Sequence, residues 1–230
     1  MKRGFLTAFV VIVLSIGALV VGYMYKYPNY TYRYRLTVNI EVDGKVHSGS
    51  SVIEVTWHGG PEIGDVGPYT PTIRGQAPLV DLGVRGIVVA ALINGEGYGR
   101  PSSGSAWGVL WIAPRAFGRE SSVDELPDLP KLRGKRELAS DNLPLLLWFS
   151  SPQDPNTAKK ILVEDIPDIF GPSARFVGAS VEIAGDPILI DINQKLPWFQ
   201  SWSDDYRARG PIYLPNKTGL SRYMFVGDAS

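Results

Sequence analysis

Residues 5–24, FLTAFVVIVLSIGALVVGYM, contain no charged side chain, and this stretch limits what the rest of the chain can be. A helix rises about 1.5 Å per residue, so a run of this length covers roughly the 30 Å hydrocarbon layer of a bilayer. Within that layer a helix satisfies every backbone N–H and C=O internally. Thr7 and Ser15 can bond back to the same helix, and Gly17 and Gly22 are tolerated there. A cleaved signal peptide shares the basic start, Lys2 and Arg3, but requires a shorter apolar core of about 7–15 residues and a small-x-small site. Val20-Val21-Gly22 is a poor version of that site, and no cysteine follows for a lipoprotein anchor. The expectation is a retained signal-anchor.

Basic residues flank the run almost equally, with Lys2 and Arg3 before it and Lys26, Arg33 and Arg35 after it. A short tail with two leading basic residues favours a cytoplasmic N-terminus and an extracytoplasmic C-terminal domain. The expected layout is a cytoplasmic tail at 1–4, a transmembrane helix at 5–24, a juxtamembrane segment at 25–33 and a β-rich domain at 34–230. Six of the eleven tyrosines (Tyr23, Tyr25, Tyr27, Tyr30, Tyr32 and Tyr34) crowd the outer boundary. Amphipathic rings suit the headgroup level, so Tyr23, Tyr25, Lys26, Tyr27 and Tyr30 are the expected membrane-interface residues. Tyr32 and Tyr34 already read as strand residues.

Charge is unevenly placed. The first 35 residues carry five Lys or Arg and no acid, leaving 18 basic and 23 acidic residues beyond them. A mildly acidic body argues against nucleic-acid binding, which wants a basic patch. The basic juxtamembrane cluster suits anionic headgroups. Cysteine is absent, which excludes disulfides, thiolate metal sites and a cysteine nucleophile. A domain of about 200 residues can fold without disulfides, and their absence fits a bacterial envelope.

From Tyr34 the pattern has period two: Tyr34, Leu36, Val38, Ile40 and Val42 alternate with Arg35, Thr37, Asn39 and Glu41. Asp43-Gly44 supplies a type I′ turn, and 46–57 returns as the second strand. Residues 58–78 read as a loop with a short extended piece near 72–74. Residues 84–93 predict a buried strand, paired across a Gly/Ser loop at 95–104 with a further strand at 107–112. Residues 119–142 read as a surface excursion. Strands are expected at 143–149 and 174–183, the latter continuing at 187–192, with short helical turns within 156–170 stopped by Gly171-Pro172. Leu196 to Phe199 reads as an aromatic corner, with last strands at Tyr213 and 223–226. The 18 prolines and 25 glycines cut the chain into short pieces. The expected fold is mainly β, an antiparallel sheet or sandwich with long loops and one or two short helices.

No catalytic constellation is complete in the sequence. Gly95, Gly97 and Gly99 miss the dinucleotide spacing by one residue and open no apolar helix. His47 and His58 are the only histidines, and Glu54 has the wrong strand parity to join His47 in a metal site. Ser48, Ser50 and Ser51 stand beside His47 without a nucleophile elbow. Glu164, Asp165 and Asp168, and Asp204 with Asp205, read as caps and solvated turns. Among six tryptophans, Trp107, Trp111 and Trp148 sit in apolar runs and suit a core. Trp198, Phe199 and Trp202 stand outside a clear strand and are the candidate partner surface.

Four stretches together, YRLTVNIEVDGKVHSGSSVIEV, RGQAPLVDLGVRG, DPNTAKKILVEDIPDIFG, and GDPI followed by LPWF, resemble an uncharacterised proteobacterial family of single-pass membrane proteins. The resemblance implies a bacterial inner-membrane and envelope setting. It carries no activity, cofactor or catalytic residue. The expected function is therefore that of a non-enzymatic anchored protein with a periplasmic domain, contacting a protein partner or serving as accessory subunit of a membrane complex. No cofactor is expected. The rival expectation is an anchored hydrolase acting on envelope material through carboxylates or His47 and Ser50.

Overall fold

The computed structural model describes residues 2–62, 64, 67–94, 107–209 and 220–227. One N-terminal helix, α1 (Lys2–Lys26), leads into two antiparallel sheets with a few short helices. The strands are β1 (Tyr30–Val42), β2 (Lys45–Gly59), β3 (Tyr69–Arg74), β4 (Leu79–Asp81) and β5 (Ile87–Asn94), then β6 (Lys135–Glu137), β7 (Pro144–Phe149), β8 (Ala158–Ile161) and β9 (Arg175–Ile183). The domain helices are α2 (Trp107–Ala116), α3 (Ile166–Phe170), α4 (Ile192–Lys195) and α5 (Phe199–Arg209). The first sheet has the order β3-β2-β1-β9-β6 and the second β4-β5-β7-β8.

The β1–β2 hairpin forms as its period-two pattern dictates. Asp43 and Gly44 both take positive φ, 53° and 72°, as a type I′ turn requires. Val42 pairs with Lys45 and the ladder runs unbroken to Tyr30 and Trp57. Tyr32, Tyr34, Leu36, Val38, Ile40 and Val42 are buried, while the alternate residues face outward. Gly49 marks where the sheets touch: a Cβ there would lie 2.4 Å from the Leu79 carbonyl oxygen in β4. The second sheet is covered on both faces. Val88, Ala90 and Leu146 meet Val38 and Ile40, and Val89, Leu147 and Phe149 belong to the larger cluster with α2 and α5.

Residues 107–112 form α2 instead of the expected strand, so no long-looped hairpin with β5 exists. A short run that is apolar at every position fits a buried helix as well as a buried strand. Its site decides the matter: Tyr34 Oη donates to the Val109 carbonyl at 2.8 Å, Tyr32 Oη donates to that of Leu110, and Asn142 Nδ2 donates to that of Ile112 at 2.8 Å. Residues 123–131 likewise depart from a surface excursion. They form a 3-10 segment that buries Leu126 and Leu129 against β1.

Residues 184–191 do not extend β9. They leave the ladder and form a strap over the outer face of the first sheet. Arg35 Nη2 meets Asp186 Oδ2 at 2.8 Å. At the far end Gln76 Oε1 accepts from the backbone N–H of Asp191 and Ile192 at 2.7 and 2.9 Å, and its Nε2 donates to Asp191 Oδ1 at 2.6 Å. Residues 199–209 form a helix, and 222–224 a 3-10 turn, with a single bridge between Gln76 and Val226 in place of last strands. Residues 95–106, Tyr213 and their expected loop and strand lie outside the described residues.

Candidate functional site: the membrane junction and the outer sheet face

The segment 9–26 of α1 has a mean hydropathy of 2.0 and none of it is buried by the domain. That is long and apolar enough to cross a membrane. The chain leaves it through three residues, Tyr27, Pro28 and Asn29, before β1 begins. Two of the three are hydrogen-bonded, and the Tyr27–Pro28 backbone packs closely on Gly59. Tyr27 N–H extends the helix by donating to the Tyr23 carbonyl at 2.9 Å. Asn29 Oδ1 accepts from the Gly59 N–H at 3.1 Å. Gly59 is required here by close approach, because a Cβ would fall 2.6 Å from the Pro28 oxygen and 2.7 Å from the Tyr27 carbonyl carbon. The sheet end at β1, β2 and β3 is thus held next to the helix end.

The expected interface residues gather at this junction. Tyr23 and Tyr27 rings lie 4.9 Å apart, and Lys26 Nζ sits 5.2 Å from the Tyr27 centroid. Tyr25 is 90% exposed. Tyr30 packs against Tyr69 at 5.8 Å. Burial, then the hydrogen bond with Tyr30, raises the Tyr69 hydroxyl above its usual pKa.

Above the junction, the outer face of the first sheet carries a row across three strands. Arg33 in β1, Glu54 in β2 and Arg74 in β3 stand directly opposite one another. Glu54 is buried, with Oε2 at 2.5 Å from Arg33 Nε and Oε1 at 3.1 Å from Arg74 Nη1. A carboxylate between two guanidiniums has its desolvation offset on both sides. Beyond this row a cleft of about 320 Å³ opens between sheet and strap, lined by Arg35, Ser50, Val52, Gln76, Asp186 and Asp191.

The two histidines are used structurally. His47 Nδ1 lies 2.8 Å from the Asp81 carbonyl oxygen, and His58 Nε2 lies 3.0 Å from Thr72 Oγ1. The β1–β2 register puts His47 on the inner side and Ser50 on the outer side, so the strand parity separates them. Ser48 donates to Asn39 Oδ1. Asp165 caps locally by accepting from the Leu162 N–H at 2.8 Å, whereas Asp204 lies within the helix α5 and accepts from the Gln200 side-chain Nε2 at 3.1 Å instead of capping a turn. Among the described residues no group of three His, Cys, Asp or Glu is placed to hold a metal ion. Gly95, Gly97 and Gly99 lie outside the described residues.

Trp198, Phe199 and Trp202 form packing, not an open face. Phe199 and Trp202 are 4% and 7% exposed and Trp198 is half-buried. Their rings lie 5.5–5.9 Å from Phe225, and Phe149 stands 5.7 Å from Trp198. Each such pair adds about 0.5–1.5 kcal/mol beyond area burial. The reason is that 199–209 is a helix, which turns these rings onto the second sheet. Trp111 is also core, meeting Trp57 at 5.2 Å, and Trp148 Nε1 donates to the Arg85 carbonyl at 2.8 Å.

The Arg33–Glu54 pairing was available from the sequence. Counting outward from the Asp43–Gly44 turn in equal steps brings these two residues opposite each other. Arg74 and the Gln76 clamp were not available, since they depend on a third strand and on a strap more than a hundred residues further along. The chain matches no protein-family model, no curated protein and no solved structure.

Proposed function

We propose that this chain is a single-pass, membrane-anchored binding protein of the bacterial envelope, with its β domain on the periplasmic side of the inner membrane. It acts by contacting a protein partner, or as accessory subunit of a membrane complex. The observation that carries this reading is the junction. A bare apolar helix enters the domain through three residues tied to Gly59, so the domain stands against the bilayer in a fixed pose. A tethered enzyme gains reach from a long linker. A binding surface presented at a set height gains from having none. The polar outer face, with its Arg33–Glu54–Arg74 row and strap, is the surface so presented. The likeness of four stretches to proteobacterial single-pass proteins supports the envelope setting.

Three measurements test the proposal. The full chain should stay with membranes through alkaline carbonate extraction. A reporter fused after Ser230 should be active only outside the cytoplasm. Crosslinking in intact membranes should give one discrete adduct, lost when Arg33 and Arg74 are both changed to Glu. Release by carbonate, a reporter active only inside, or a strictly monomeric chain would each overturn the corresponding part.

A further inference from the structure

We infer that the cleft between the first sheet and the strap binds an alkylammonium or alkylguanidinium group, the chemistry of a lysine or arginine side chain. The inference rests on the outer face being the binding surface, and it names what that face takes. At about 320 Å³ the cleft falls at the lower end of the roughly 300–1,000 Å³ of ligand pockets. Its floor is apolar. Val52 stands opposite Arg35 in the β1–β2 ladder. On its other side the Val52 carbonyl is packed by Gly75, the neighbour of Gln76, where a Cβ would fall 2.7 Å from the oxygen. The floor thus runs from Arg35 across Val52 to Gln76. Val52 is buried although it belongs to the outer face, and Leu189 of the strap, itself 68% exposed, supplies an apolar wall.

Charge sets the other end of the ligand. Two carboxylates, Asp186 and Asp191, line the cleft against the single Arg35. Arg35 is already paired with Asp186 at 2.8 Å. Asp191 has only the neutral Gln76 amide on its Oδ1, at 2.6 Å, and meets no cationic side chain among the described residues. The neighbouring cations are engaged elsewhere, Arg33 and Arg74 with Glu54 and Lys195 with Asp81. An anion would have to displace Asp186 from Arg35. A bare metal ion lacks a ligand set, since no group of three His, Cys, Asp or Glu is placed to hold one among the described residues. A cation on an aliphatic stem suits both halves of the cleft. Its methylenes lie on Val52 and Leu189, as lysine and arginine stems lie on apolar surface. Its charged head donates to the Asp191 carboxylate and to the hydroxyl oxygen of Ser50, which lines the cleft from β2. A partner protein's side chain and a free amine offer the same chemistry. The inference does not depend on the direction in which α1 crosses the membrane.

The test is thermal unfolding of the full chain in dodecyl maltoside at neutral pH, with n-butylammonium chloride titrated against sodium chloride at matched ionic strength. A saturable rise in Tm is expected. It should exceed the rise with ammonium chloride, which lacks the stem, and with butanol, which lacks the charge. Asp191→Asn keeps an oxygen for the Gln76 amide and leaves the backbone bonds to Gln76 Oε1 in place, so the fold stands. It should raise the half-saturating concentration roughly fivefold. Leu189→Ser, at an exposed position, removes the wall and should raise it roughly threefold. The peptide acetyl-Gly-Lys-Gly-amide separates the sources. A cleft that takes a partner's side chain admits it as well as the free amine, and a cleft that takes a free amine shuts out its backbone. No saturable rise with n-butylammonium, an equal rise with ammonium chloride or butanol, or an unchanged midpoint in Asp191→Asn would overturn the assignment. The titration involves no partner protein, so its failure would leave the crosslinked adduct in membranes standing, and loss of the adduct would leave the titration standing.

Discussion

Pro114 sits inside α2 without an N–H, so the Leu110 carbonyl loses its usual helical donor. Tyr32, reaching across from β1, donates to that carbonyl. A buried carbonyl left without a donor costs about 1–3 kcal/mol. Tyr32→Phe should therefore destabilise the domain by that amount in denaturant unfolding. In a Pro114→Ala background the helix regains its own N–H, and the same change should cost distinctly less. A double-mutant cycle measures the difference; full additivity would mean the hydroxyl is not standing in for the missing helical bond. Tyr32 and Tyr34 also show what a sequence reading captures. Their inward parity follows from the alternation that starts at Tyr34. Their bonding to α2 does not, because it depends on a helix 75 or more residues away.

Among the elements, the β1–β2 hairpin was legible in its turn, register and inward face because local pattern and turn chemistry agree there, but β1 begins at Tyr30, four residues inside the expected juxtamembrane segment, and β2 runs on to Gly59. The run 107–112 was not, because apolar content without periodicity leaves helix and strand equally open. Residues 187–192 have strand-like composition, yet they do not continue β9: Arg35 draws Asp186 onto the outer face, and Gln76 captures the backbone at Asp191 and Ile192, where α4 begins. The sheet edges are guarded as exposed strands must be: β3 carries Pro71, and β8 carries Lys159 and Lys160. Where β2 meets β4, Gly49 permits backbone contact. Gly49→Ala would place a methyl 2.4 Å from backbone oxygen, which no side-chain rotation relieves. We expect a loss of about 1–3 kcal/mol, the usual cost of overpacking, and faster amide exchange in β4 and the β2 residues it covers. Unchanged stability would show that the two sheets are free to separate at this point.

For the whole molecule, stability should be bounded by groups at both ends of the pH scale. The Lys195 ammonium, then the Gly83 N–H, hold the Asp81 carboxyl below its ordinary pKa. Lys131 does the same for Asp128, with Arg119 adding to it. A depressed folded pKa contributes stability above the unfolded value of about 4, which is lost as pH falls through the folded value. Both carboxylates are substantially exposed, so the acid effect is small, and Asp81→Asn should flatten it in melts taken between neutral pH and pH 3. Burial raises the hydroxyls of Tyr32 and Tyr34 far above their ordinary value. Their contribution is complete below the unfolded tyrosine pKa of about 10 and is lost as pH rises beyond it. Tm should drop steeply above that point, less so in Tyr34→Phe.

The central claim is that α1 crosses the bilayer and holds the domain against it. The natural chain has no cysteine, so single-cysteine variants report cleanly. Ala18→Cys lies in the middle of the apolar run, and Val46→Cys is exposed beside the hairpin turn, at the end of the sheet far from the junction. The full chain is reconstituted into liposomes, and a membrane-impermeant maleimide is added from the domain side. The account predicts rapid labelling of Val46→Cys and none of Ala18→Cys until detergent dissolves the bilayer. Equal labelling of both in intact liposomes would contradict it.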